Sequence, residues 1–266
     1  GVGFHSTLRR CTAFPTGIAL AASWDPDLGR EFGEALALEA RSVGAQVVLG
    51  PAVNICRTPL NGRTFEYFSE DPELNSRLTV AVIKGIQSTG VAACVKHYAA
   101  NNQETNRMRN SSRVSERALR EIYLPAFEAA VREADVWAVM AAYNAVNGVA
   151  ACEHRPLLHE MLRQEYGFTG FVVSDWFAVR RTTSGASCLK AGLDLEMPGR
   201  GSRYRLSRLK KEFAAGAFTL EELEHRLRNL LRIWLRTSAD AGHPTGRRNT
   251  PQHQQLARRM AVQGIT

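Results

Sequence analysis

Six short apolar runs recur along this chain with helical periodicity between them, and that alternation restricts the fold more than any other feature. The runs are Ile18–Ala22, Val47–Gly50, Ala92–Lys96, Ala138–Tyr143, Phe171–Asp175 and Leu193–Met197. The segments between them carry helix end signals: Asp25–Pro26 and Asp71–Pro72 read as a cap with proline in the first turn, Ser115 opens another helix, and Thr219 stands three residues before Glu222. Strands joined through helices pair in parallel, which leaves an α/β barrel or a doubly wound sheet. We expect a TIM-type (β/α)8 barrel, because polar residues gather after several strand ends. No GxGxxG or GxxxxGK[ST] phosphate cradle marks a single switch point. A full barrel has eight strands, so this one is expected to be incomplete at its N-terminus. Residues 1–236 are assigned to the barrel. Residues 237–266 are assigned to a linker and to the start of a missing second domain, its helix capped by Thr250–Pro251 and without a place in the barrel.

With 266 residues and 44% hydrophobic content, the chain has enough apolar material for a full core. No run approaches the roughly 18 apolar residues of a membrane span. The opening GVGFHSTLRR lacks an initiator Met and a charged-then-apolar leader, so the chain reads as an internal piece. A signal peptide is not assessable from such a start, and the cytoplasm is only slightly favoured. The five cysteines (Cys11, Cys56, Cys94, Cys152, Cys188) are odd in number and widely spaced, which suits small buried hydrophobes better than disulfides or a metal knuckle. No metal and no cofactor is expected. From Arg200 onward 14 basic residues face 5 acidic ones, leaving 20 against 21 in the first 199. The net +8 therefore belongs to the C-terminal helices. Their leucines fall at helical spacing and few aromatics accompany them, so a solvated helix face is a better reading than a specific nucleic-acid surface.

Phe171–Asp175 carries the chemistry. It is apolar and β-branched until it meets Ser174 and Asp175, and a carboxylate at the end of a buried strand must open onto a pocket or a partner. Active sites of such barrels lie at these strand ends. After Val47 comes GPAVNICRTPLNGRTFEYFSEDP, with Arg57 and Arg63. After Ala92 comes KHYAANNQETNR, with Lys96, His97 and Arg107. After Ala138 comes AAYNAVNG, with Tyr143 and Asn144. Fixed donors converging on one carboxylate suit a ligand covered in hydroxyls, and Trp176 offers a surface on which a sugar ring stacks. Each residue also has a structural reading. Arg63 pairs Glu66 or Asp71, His97 is a satisfied core histidine, Lys96 pairs Glu104, and Asp175 caps the next turn.

The segments GRTFEYFSEDP, KHYAANNQETNR, MAAYNAVNG, VVSDW and AGLDLEMPG, in that order, resemble the N-terminal barrel of glycoside hydrolase family 3, in particular its β-glucosidase branch. The resemblance runs from about Thr12 to Thr237. It implies that Asp175 is the nucleophile of a retaining mechanism and that Tyr143 orients or stabilises it. It also implies that Arg63, Lys96, His97, Arg107 and Trp176 bind the non-reducing sugar of a β-glucoside or oligosaccharide. The N-acetylglucosaminidase branch carries a KH(F/I)PG pattern, from which KHYAANNQE departs, and Trp176 stands where xylosidase members tend to have cysteine. Two departures follow from the chain's limits. The family's upstream DGP and GVR motifs have no counterpart here. Its general acid, a glutamate on a second α/β domain, would lie beyond LARRMAVQGIT, which resembles the approach to that domain. Asp194 and Glu196, two apart on an expected strand and so pointing the same way, are the alternative nucleophiles. Other readings are a sugar-binding remnant without turnover and a Schiff-base aldolase barrel using Lys96, which needs a lysine of depressed pKa.

Overall fold

The computed structural model describes residues 11–199, 202–238 and 242–265. The opening decapeptide and three residues of the expected linker, 239–241, lie outside them. Four parallel strands form the central sheet in the order β1 (Val47–Val48), β2 (Ala92–Tyr98), β4 (Ala138–Ala141), β7 (Phe171–Ser174). A small second sheet joins β3 (Ser111–Ser112), β5 (Ala145–Val146) and β6 (Val149–Ala150). Asn147 and Gly148, both at positive φ, make the two-residue turn between β5 and β6. The architecture is TIM-type α/β, with its wall an open arc among the described residues.

Two of the six expected strands differ. Ile18–Ala22 lies within a helix, α1 (Gly17–Ala22), because its run is built from alanine and leucine, strong helix formers, and only Leu20 and Ala21 need burial. Leu193–Met197 shrinks to a single bridge, Leu195 to Val173. Its neighbour's ladder donor is diverted: the Val172 N–H donates to the Asp194 carboxylate at 2.6 Å instead of to a strand carbonyl.

The helix signals are realised. Asp25 accepts from the N–H groups of Asp27 and Leu28 at the start of α2 (Pro26–Arg41), and Asp71 accepts from Glu73 at the start of α3 (Pro72–Gln87). These two helices touch through Gly33 and Gly85, where any Cβ would strike the backbone of Val82 or Arg30. After α4 (Glu116–Ala118) a π turn over Leu119–Tyr123 shifts the helical phase, so Leu119 and Tyr123 are buried while Ile122 faces out. Then follow α5 (Pro125–Arg132), α6 (Gly185–Ala191), α7 (Leu206–Ala214), α8 (Leu220–Thr237) and α9 (Pro251–Gln263).

The strands are buried on both faces, with alternate residues serving different layers. Ala93, Val95, Val139, Ala141 and Val172 join the main core with residues of α2, α3 and α5. Ala92, Cys94, Ala138, Met140, Phe171 and Val173 meet Leu230 and Ile233 of α8. Near-continuous apolar strands follow from this two-sided cover. Beyond α8 the chain lies along α2: Arg41 donates to the Pro244 carbonyl at 2.9 Å and the Arg247 N–H to that of Leu38 at 3.0 Å. Helix α9 is held by a buried carboxylate. Glu39 accepts from the Thr12 N–H and hydroxyl, the Asn249 N–H and His253 Nδ1, the last at 2.9 Å. Burial pushes this carboxyl up, but those donors outweigh it and hold its pKa below the usual range. No helix among the described residues is long and apolar enough to cross a membrane.

Candidate active site

Sheet register brings the site together. Met140 pairs with Lys96 and Val173, and Ala141 pairs with Tyr98 and Ser174. The three strands therefore end level, and His97, Tyr143 and Asp175 emerge at one edge. The segment before Asn54 runs beside β2, with the Lys96 N–H donating to the Pro51 carbonyl and the Val53 N–H to that of Lys96. That places Asn54 against His97.

Asp175 is 6% exposed. Its Oδ1 accepts the Trp176 N–H at 2.7 Å, whereas its buried Oδ2 has no hydrogen-bond partner among the described residues. Burial pushes the carboxyl above its ordinary value, against the pull of the Trp176 N–H, the Arg63 charge, the facing Tyr143 hydroxyl and Lys96. Tyr143 in turn is pushed up to about 12, by burial first and by the Asp175 charge second. His97 Nε2 lies 3.6 Å from Asp175 Oδ2. Burial, with the cations Arg63, Lys96 and Arg107, pushes the imidazole well below 6.5, so it is neutral.

The cations are themselves paired. Arg63 donates to Glu66 at 2.5 Å, and Lys96 lies 3.6 Å from the other oxygen of the same carboxylate. Arg107 donates to Glu104 at 2.7 Å while its guanidinium stacks on the Tyr143 ring at 4.3 Å. Three cations thus face three carboxylates, and the cluster is neutral with Asp175 ionised. Glu66 and Glu104 act as counter-ions that aim the donors. The Arg63–Glu66 pairing expected as a structural alternative does occur, but Lys96 pairs Glu66, not Glu104. An acidic partner is not the apolar or cationic setting that activates a Schiff-base lysine. Trp176 follows directly, partly exposed at the rim.

Asp194 and Glu196 lie elsewhere and face different partners. Asp194 takes Arg163, Arg226, Asn229 and the Val172 N–H, and Glu196 takes Ser202 together with the N–H groups of Arg203 and Tyr204. They do not share a strand face, because no regular strand forms there. Arg226, one of the expected solvated charges of α8, is buried against Asp194.

Sequence reasoning missed the residues that hold the donors: Asn54 behind His97, and Asn101, which bridges the Tyr67 hydroxyl and Glu104 at 3.2 Å each. Their signal was position, in the polar segments next to the strand ends. A hollow of about 710 Å³, lined by Ser111, Arg113, Val114, Ser115, Asn147 and Gly148, lies at the small sheet and includes none of the candidate site residues. Among the described residues no three His, Cys, Asp or Glu are placed to hold a metal ion.

The chain matches the model of the glycosyl hydrolase family 3 N terminal domain over residues 2–233. It is 46% identical over 255 residues to β-glucosidase B of Emericella nidulans, covering 95% of this chain and 30% of that protein. It is 42% identical over 254 residues to an exo-α-(1→6)-L-arabinopyranosidase of Bifidobacterium longum, covering 96% and 33%. The structure of β-glucosidase 3B from Thermotoga neapolitana in complex with α-D-glucose superposes with a TM-score of 0.89 at 41% identity, covering 95% of this chain and 36% of that one. The chain spans about a third of the length of the curated relatives it matches.

Proposed function

The chain belongs to glycosyl hydrolase family 3, and we propose that it carries the nucleophile and sugar-binding wall of a retaining, β-glucosidase-like glycosidase. The observation that carries this reading is the unpartnered Oδ2 of Asp175, buried at a strand end and ringed by aimed donors. Oδ2 attacks the anomeric carbon, the glycosidic C–O bond breaks as the ester bond forms, and water later hydrolyses the glycosyl ester. Tyr143 steadies the carboxylate. Arg63, Lys96, His97 and Arg107 take sugar hydroxyls, and Trp176 covers a ring face.

The leaving oxygen needs a proton, and a retaining site holds its two carboxyl groups about 5–5.5 Å apart. Glu66 and Glu104 are occupied by Arg63, Lys96 and Arg107, so neither is free for that role. We assign the acid to a second α/β domain of the whole protein, reached through residues 237–266. General acid help is worth about 10²–10⁴-fold. The chain by itself should therefore be nearly inert towards cellobiose and retain faint turnover of dinitrophenyl glucoside, whose leaving group departs without a proton.

An activated fluorosugar tests the assignment. Mass spectrometry should place the covalent glycosyl group on Asp175, and a label on Asp194 or Glu196 would overturn it. Parallel reactions with glucosyl and arabinopyranosyl reagents decide the sugar, and faster labelling by the arabinopyranosyl reagent would remove the glucoside preference. Comparable, Asp175-dependent rates on cellobiose and the activated glucoside would show that the chain holds its own acid.

A further inference from the structure

Asn54 and His97 are joined by three contacts. Asn54 Nδ2 donates to the His97 carbonyl at 2.8 Å, and Asn54 Oδ1 accepts the His97 backbone N–H at 2.9 Å. These two bonds fix which way the amide points, since the flipped amide would set donor against donor and acceptor against acceptor. The same Oδ1 faces His97 Nδ1 at 3.3 Å. An amide oxygen only accepts, so this third contact is a hydrogen bond only when Nδ1 carries the proton. A neutral imidazole has one ring proton, and Nε2 is then a bare lone pair.

That lone pair points towards Asp175 Oδ2 at 3.6 Å, beyond hydrogen-bonding range, whereas the Nδ1 contact is within it. Two acceptors therefore meet in a buried space, with His97 only 1% exposed and Oδ2 unpartnered. The charged groups facing His97 are Asp175, Arg63, Lys96 and Arg107, and the edge of the Tyr67 ring stands 6.4 Å away between centroids. An imidazolium here would turn Nε2–H onto Oδ2 and occupy the attacking oxygen.

We propose that Asn54 is a positioning residue that locks His97 as the Nδ1–H, Nε2-acceptor tautomer, leaving Asp175 Oδ2 uncapped and presenting a lone pair to a donating sugar hydroxyl. The inference rests on the reading of Asp175 as nucleophile. Specificity follows from its polarity: the hydroxyl at His97 must donate, so a sugar carrying fluorine or a methyl ether there binds poorly even when its shape fits.

Nitrogen-15 NMR of histidine-labelled protein tests the tautomer without any turnover, with the His97 signals identified by their loss in His97→Phe. A protonated Nδ1 and a bare Nε2, from neutral pH to about pH 8, are expected. Neutral Nε2–H, or an imidazolium in that range, would overturn the proposal. In Asn54→Asp a carboxylate faces Nδ1–H, and an opposite charge that close raises a histidine pKa by about 1–3 units. The nitrogen-15 signals of His97 in that variant should titrate at a higher pH than in the wild type, and an unchanged titration would show that position 54 does not act on Nδ1. Asn54→Ala, checked for folding by its melting curve, should give mixed tautomers, and an unchanged Nδ1–H would show that Asn54 does not set it. The two readings fail separately. A label on another residue with His97 as expected sinks the nucleophile assignment, and a label on Asp175 with the reversed tautomer sinks this inference alone.

Discussion

Two buried carboxylates in this chain should respond to substitution in opposite ways, and the difference can be worked from their partners. Glu39 is fully buried and accepts from two groups of Thr12, from the Asn249 N–H and from His253. Glu39→Gln keeps the size but removes the charge and sets an amide NH2 among donors. Charged hydrogen bonds contribute about 1.5–3 kcal/mol each against about 1 for neutral ones, so a loss of about 2–5 kcal/mol is expected. At about 2–4 °C per kcal/mol for a chain of this size, Tm should fall by roughly 4–20 °C. Asp175, by contrast, has a raised pKa caused first by burial. A raised carboxyl pKa means that ionisation costs the folded state stability above that pKa, so Asp175→Asn at neutral pH removes a cost. Its Tm should hold or rise while labelling by the fluorosugar is abolished. The signs separate again in acid. Glu39 is depressed, so its contribution is complete above about pH 5 and erodes as pH falls from the ordinary value of about 4.3 through the folded one. The wild-type and Glu39→Gln melting curves should then converge. Thermal melts across pH decide the matter. A Tm loss for Asp175→Asn as large as that for Glu39→Gln would refute the separation of a structural from a functional carboxylate.

Tyr143→Phe removes a hydroxyl facing Asp175 but keeps the ring under Arg107, so glucose protection should persist while labelling slows about 10–100-fold, the equivalent of one hydrogen bond to a charge at about 1.5–3 kcal/mol. Slowed labelling together with lost protection would mean that Tyr143 acts through Arg107 instead. Lys96→Ala should abolish glucose protection on thermal melting, because truncating a buried charged donor typically costs about 2–5 kcal/mol of binding. An unchanged shift removes Lys96 from the site. Gly85→Ala drives a methyl into the Arg30 carbonyl and should destabilise by about 1–3 kcal/mol without altering the sugar-induced shift in Tm. An unaltered Tm would show that α2 and α3 separate at little cost.

The elements legible in the sequence were those whose local chemistry and burial agree. Asp25–Pro26, Asp71–Pro72 and Thr219–Glu222 start helices where their caps predict, and the apolar runs at Val47, Ala92 and Phe171 are strands. Ile18–Ala22 failed because periodicity cannot decide a five-residue apolar run, and its alanines favour the helix once Leu20 and Ala21 find the core. Leu193–Met197 failed for a non-local reason: Asp194 turns away to Arg163 and Arg226, and its carboxylate takes the ladder donor. Nothing local to Asp194 distinguishes it from Asp175.

What distinguishes them is satisfaction. Asp194 and Glu39 each gather several donors, and such carboxylates are fixed by the fold. Asp175 keeps one oxygen without a partner although arginine, lysine and tyrosine surround it, because Glu66 and Glu104 hold the cations off and, in the proposed tautomer, Asn54 turns the histidine's proton away. The sequence displayed the donors. It could not display their restraint, since that depends on three acceptors from two different strand-end segments meeting at the level where β2, β4 and β7 end together. A site with the same donors but without Glu66, Glu104 and Asn54 would let Arg63, Lys96 and His97 close onto Asp175. It would gain charge-assisted hydrogen bonds and lose the uncapped oxygen to which we assign the attack on the sugar.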